Sequence, residues 1–166
     1  GLSSRVGKSL LEHAEVVVYD YLSSPKLLNY VPKNAQFIYA GKKGGGLHAF
    51  TQDGINKLLV EHAKLGKMVV RLKGGDPFIF GRGAEEIQEL VAEGIDFEVV
   101  PGVTSATAAA TYAGIPITHR EYTASVALVT GHEDPNKKLS NIAWDKLATG
   151  VGTIVIYMGI KTLPTI

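Results

Sequence analysis

Val69-Val70-Arg71-Leu72-Lys73-Gly74-Gly75-Asp76-Pro77-Phe78-Ile79-Phe80-Gly81-Arg82-Gly83 is the stretch whose reading decides the fold. Its opening residues are apolar and β-branched, its middle is a glycine-rich loop with one carboxylate, and a helix is expected from about Ala84. That order puts the loop at the carboxyl end of a strand, where open α/β sheets bind their ligands.

Upstream, the pattern repeats twice. Glu15-Val16-Val17-Val18-Tyr19-Asp20 reads as a buried parallel strand, because its valines run continuously instead of alternating with polar residues. Gln36-Phe37-Ile38-Tyr39-Ala40 reads as another, leading into Gly41-Lys42-Lys43-Gly44-Gly45-Gly46. Helices are expected from the N-terminus to His13, capped by Ser3 or Ser4 with Val6, Leu10, Leu11 and Ala14 on one face, and from Thr51, with Ile55, Leu58, Leu59 and Ala63 inward. Pro25 to Tyr30 reads as a short helix with Pro25 at its first position.

Downstream, a helix from Ala84 to Glu93 places Ile87, Leu90 and Val91 inward, and Phe97-Glu98-Val99-Val100-Pro101 is a fourth expected strand. Gly102-Val103-Thr104-Ser105 turns into a helix of small residues, Ala106 to Ala113, which Gly114 and Pro116 end. Pro116 to Thr123 reads as a linker, followed by strands Ser125 to Thr130 and Thr153 to Met158. Strands alternating with helices imply an α/β protein with mostly parallel sheets. The expected domains are 1-118 and 119-166.

The composition excludes several functions. The 166 residues carry a formal net charge of +1, which argues against a general nucleic-acid or membrane-surface binder. With no cysteine at all, disulfides, thiolate nucleophiles and cysteine metal sites are ruled out together. The five histidines show neither i, i+4 pairing nor finger-like spacing, so no metal site is expected. No apolar run approaches the roughly 20 residues of a membrane span, and the default expectation is a cytoplasmic protein.

A glycine pair after a strand is weak evidence by itself, since turns need glycine whether or not a ligand is present. Here three loops follow three separate strands: the central run, Pro101-Gly102-Val103-Thr104-Ser105-Ala106, and Thr130-Gly131-His132. With Gly114-Ile115-Pro116-Ile117-Thr118-His119-Arg120 and Tyr157-Met158-Gly159, they make the chain resemble the tetrapyrrole methylases, within them the members that act on uroporphyrinogen III. The resemblance covers essentially the whole chain. It implies two αβα domains with S-adenosylmethionine in the cleft between them, and methylation of uroporphyrinogen III at C2 and C7 to give precorrin-2, which feeds siroheme and cobalamin synthesis. The rival readings are a methylase of a later corrinoid intermediate and a folded, non-catalytic segment.

By the resemblance, Gly74, Gly75, Asp76, Ile79, Thr104, Ser105 and Met158 line the cofactor, Asp20 is the proton acceptor and Lys42 the proton donor. On residue type alone, Ile79 and Met158 read more readily as core residues than as cofactor contacts, and Asp20 reads equally as a turn or N-cap residue. The implied substrate carries eight carboxylates, so Lys43, Arg82 and Arg120 are candidate anion contacts, with His132 beside them. A homodimer is implied, with the tetrapyrrole as the small-molecule partner. Nothing in the sequence corresponds to the strand and glycine- and proline-rich loop that open the family's pattern, and that pattern continues beyond Ile166.

Overall fold

The computed structural model describes residues 3–41, 50–133 and 140–166. It divides into two compact units, Gly1–Thr104 and Ser105–Ile166.

The first unit is built on Val16, Val17 and Val18. These residues are fully buried in β1 (Val16–Tyr19), which pairs in parallel with β2 (Gln36–Tyr39) on one side and β3 (Val69–Leu72) on the other. Because side chains alternate along a strand, the valines serve two different cores. Val17 packs with Leu11, Ala14, Leu27 and Val31, whereas Val16 and Val18 pack with Ala40, Ile55 and Leu59. A strand buried on both faces cannot afford an alternating polar position, which is why the valine run is continuous. Each such burial contributes about 1.5–3 kcal/mol.

The helices start and stop where local chemistry says they should. In α1 (Arg5–Glu12) the Ser4 hydroxyl accepts from the Gly7 amide at 3.0 Å. In α2 (Gln52–Lys64) the Thr51 hydroxyl accepts from the Gly54 amide at 3.1 Å, and Gly66 lies beyond its end at φ +72°. Pro25–Tyr30 is a 3-10 turn in which Ser24 makes no side-chain cap bond. α3 (Gly83–Ala92) follows the central loop, and Gly94 with φ +65° ends it.

Three expectations are corrected. Val91 is 61% exposed and Val6 51% exposed, so neither belongs to its helix's buried face. Phe97 to Pro101 is extended but forms no strand among the described residues. A cavity of about 530 Å³ is lined by β3 and by residues 95–102 alike, and no backbone bond among the described residues joins that segment to β3. β-propensity alone does not make a strand without a partner.

The second unit holds α4 (Ser105–Tyr112), β4 (Val126–Thr130), α5 (Trp144–Gly150) and β5 (Thr153–Tyr157). β4 and β5 pair in parallel from Val126↔Thr153 to Thr130↔Tyr157. A parallel pair needs a crossover, and α5, which the sequence reading did not assign, supplies its helix.

Candidate functional site

β1 ends at Asp20, whose side chain is only 18% exposed. Its Oδ1 accepts from the Leu22 amide at 3.0 Å and its Oδ2 accepts from Arg71 Nη2 at 2.9 Å. Arg71 lies on β3, alongside Val18 in the parallel register. Its Nη1 donates to the Leu72 carbonyl at 2.9 Å and the Val18 carbonyl at 3.3 Å, and its Nε donates to Glu86 Oε1 at 3.1 Å. Lys73 Nζ then donates to both Glu86 oxygens, at 2.9 and 3.0 Å. Burial, aided by the nearby Arg71 charge, holds the Lys73 ammonium below the ordinary lysine range despite this pairing. Two carboxylates and two cations thus form a neutral chain in which no side chain is more than 18% exposed.

The central loop leaves β3 directly above this cluster of charges. Gly75 adopts φ +77° and is exposed, which presents its backbone to solvent. A Cβ on Gly74 would stand 2.5 Å from the Leu22 carbonyl oxygen, so only glycine lets the loops after β1 and β3 come together. Among the described residues, no cation pairs with Asp76. Its Oδ1 accepts from the Phe78 amide and its Oδ2 from the Gly102 amide, both at 2.9 Å. The second bond joins the central loop to the loop ahead of Thr104. Phe80 (φ 52°) and Arg82 (φ 58°) are left-handed although neither is glycine, and such conformations gather at ligand-binding turns.

In the second unit, the Gly131 amide donates to the Tyr157 carbonyl at 2.6 Å and Thr162 Oγ1 donates to the Gly131 carbonyl at 2.6 Å. The loops after β4 and β5 therefore lie against each other, as they do after β1 and β3. Met158 sits at this junction with φ 55° and 55% exposure, which removes the reading of it as a core residue. The Tyr157 hydroxyl accepts from the Ala106 amide at 3.3 Å, tying the start of α4 to the end of β5.

Within the first unit, then, the structure brings Asp20, Gly74, Gly75 and Asp76 together, with Thr104 half-buried two residues after Gly102. Ile79 is half-buried, its amide donating to the Asp76 carbonyl at 3.3 Å. Within the second, Ser105 opens α4, and exposed His132 takes its place through a 3.1 Å bond from its own amide to Thr130 Oγ1. Arg82 is engaged by Glu85, with Nε and Nη2 at 2.8 and 2.6 Å from its two oxygens. That hydrogen bond raises Arg82 and lowers Glu85 from their ordinary pKa values. Arg120 is exposed in the turn closed by the His119–Thr123 bridge, and no bond among the described residues joins it to the other candidates. Lys42 and Lys43 lie outside the described residues.

Sequence reasoning missed Arg71, Lys73 and Glu86. A signal was present: Arg71 and Lys73 are two apart on a strand whose other residues are apolar, so they share one face and require a buried counter-charge. Among the described residues, no group of three or more histidines or carboxylates could hold a metal ion. None of their helices is long and apolar enough to cross a membrane.

The family model for tetrapyrrole (corrin/porphyrin) methylases matches residues 2–166. An S-adenosyl-L-methionine-dependent uroporphyrinogen III methyltransferase of Methanosarcina barkeri is 56% identical over 94% of this chain and 61% of its own length. The crystal structure of a uroporphyrin-III C-methyltransferase from Thermus thermophilus, complexed with S-adenosyl homocysteine, is 37% identical. It superposes with TM-score 0.75 over 97% of this chain and 65% of its own. A cobalt precorrin-4 methyltransferase is 31% identical, with TM-score 0.82 over 99% of this chain and 65% of its own. The chain thus spans somewhat under two thirds of the length of these relatives.

Proposed function

Because the chain belongs to the tetrapyrrole (corrin/porphyrin) methylases, we propose that it serves S-adenosylmethionine-dependent C-methylation of uroporphyrinogen III at C2 and C7, giving precorrin-2. The observation that carries this reading is the 56% identity to a uroporphyrinogen III methyltransferase over nearly the whole chain. It acts on a small tetrapyrrole, in the cytoplasm and as a homodimer.

The residues present fit the cofactor. The exposed left-handed backbone at Gly75, where a Cβ would meet nothing within 4 Å, suits a ligand approached by main chain, and the exposed Met158 thioether suits an apolar contact. Gly74, Gly75, Asp76, Ile79, Thr104, Ser105 and Met158 would hold it. When bound, S-adenosylmethionine supplies an electrophilic methyl group on a sulfonium centre. The chain's part is to orient that group and exclude water, since methyl transfer is an in-line displacement that needs little else. Carbon methylation leaves a proton to be removed from the macrocycle. Asp20, with one further acceptor site on each oxygen beyond its two bonds, accepts it, and Lys42 donates where a proton is returned. Lys43, Arg82, Arg120 and His132 meet the substrate's carboxylates.

The higher TM-score to the cobalt precorrin-4 methyltransferase favours a second reading, methylation of a later corrinoid. Incubation with S-adenosylmethionine and either uroporphyrinogen III or a corrinoid, followed by mass spectrometry, separates the two. The proposal expects a dimethylated product from uroporphyrinogen III alone. Methylation of the corrinoid alone, or of neither, contradicts it.

A further inference from the structure

The reading above uses Asp20 and leaves Arg71, Glu86 and Lys73 without a task. We propose that Arg71 and Glu86 are positioning residues for Asp20: Glu86 aims the guanidinium, and the guanidinium fixes the carboxylate that takes the proton. The inference rests on the proposed role of Asp20.

Three features of the geometry support it. The guanidinium is gripped along its length, by Glu86 at Nε, by the carbonyls of Val18 and Leu72 at Nη1, and by Asp20 at Nη2. A planar fork held at three nitrogens has one orientation, and Asp20 Oδ2 inherits it. Secondly, the Arg71 charge is shared. Glu86 takes part of it and is itself balanced by Lys73 and approached by Gln52 Nε2 at 3.5 Å, so Arg71 orients Asp20 while sharing its charge with a second carboxylate. Thirdly, Asp20 Oδ1 is fixed independently by the Leu22 amide. Both oxygens are therefore located, while each keeps an acceptor site.

A purely structural staple of β1, β3 and α3 would use the same bonds. The two roles separate because a buried ion pair can be replaced by apolar residues with little loss of stability, whereas aim cannot. The variant Arg71→Leu with Glu86→Leu keeps the net charge of the cluster at zero but leaves Asp20 and Lys73 each without its bonded partner, so it is compared at a temperature where urea unfolding shows it to be folded. In this variant, S-adenosylhomocysteine affinity by calorimetry is expected within about threefold of the unaltered chain, as is the KM for uroporphyrinogen III. Turnover is expected to fall about 100-fold, the scale of an ångström-sized misplacement. Arg71→Lys, which keeps the charge and loses the fork, is expected to recover only part of that loss. Unchanged turnover, or equal losses in affinity and turnover, overturns the proposal.

A measurement without catalysis stands beside it. Asp20 and Glu86 share no bond, yet both bond Arg71. In a double-mutant cycle of Asp20→Asn and Glu86→Gln, read by urea unfolding, the unfolding constants should depart from additivity by about fivefold or more, and return to additivity when Arg71 is Met. Additive effects with Arg71 in place overturn the network. Absence of methyl transfer in the unaltered chain would count against the proposed function, and the cycle would still decide the network.

Discussion

Asp20 and Asp76 lie in the loops that follow neighbouring parallel strands, yet they are held by opposite means. Asp20 is gripped by a guanidinium that is itself part of a neutral chain of four buried charges. Among the described residues, Asp76 takes only backbone amides, one from its own turn and one from the loop at Gly102. A charge grip fixes a side chain's direction at the cost of desolvating every member. A backbone grip fixes the loops, since the amides belong to the chain's path. The first arrangement suits a carboxylate that must act, and the second suits one that must shape the cradle around a ligand.

The comparison breaks most easily at Glu86. Glu86→Ala leaves Arg71 and Lys73 with an excess buried positive charge, and a loss of about 3–5 kcal/mol is expected in urea unfolding. A loss under about 1 kcal/mol, the scale of an exposed pair, would show that the cluster is wetter than its side-chain exposures suggest. Asp76→Ala removes two bonds to amides and no charge pair, so its expected cost is smaller, about 1–3 kcal/mol. If it costs more than Glu86→Ala, the ranking of the two grips is wrong.

Lys73 gives the comparison a pH signature. Its folded pKa is lowered, so between that value and the ordinary 10.5 the unfolded chain binds more protons than the folded one. Stability from this group therefore rises with pH across that window and is absent below it. Unfolding free energies of the unaltered chain and Lys73→Met should converge as pH approaches 10.5. A constant difference would remove burial as the cause. The smallest effect is expected at the exposed Arg82–Glu85 pair. The Glu85 pKa is lowered, so its contribution is present above the ordinary value of 4.5 and lost as pH falls. Glu85→Gln should cost at most about 0.5 kcal/mol at neutral pH and nothing at high salt.

Much of the first unit was legible in the sequence because its signals are local. The valine run of β1, Thr51 as cap and Gly66 as terminator each carry their meaning within a few residues, and the structure places β1, β2, β3 and α2 accordingly. What was not legible is long-range. Phe97 to Val100 has a strand's composition, but strand formation depends on an edge to pair with, and no backbone bond among the described residues joins that segment to β3. The partners of Arg71 lie far along the chain, on β1 and α3, so only the unexplained charges on an apolar strand hinted at them. Asp76 stands out in the sequence as the one carboxylate of a glycine-rich loop, but its bond to Gly102 does not, because it joins two loops that only the fold brings together.

The loops joined by Asp76 are proposed as the seat of the cofactor. Calorimetric titration of S-adenosylhomocysteine into the unaltered chain and into Asp76→Ala tests it most directly. Saturable binding to the unaltered chain and at least tenfold weaker binding to the variant are expected, at a temperature where urea unfolding shows both to be folded. Equal affinity in the two proteins, or no binding to the unaltered chain, would contradict it.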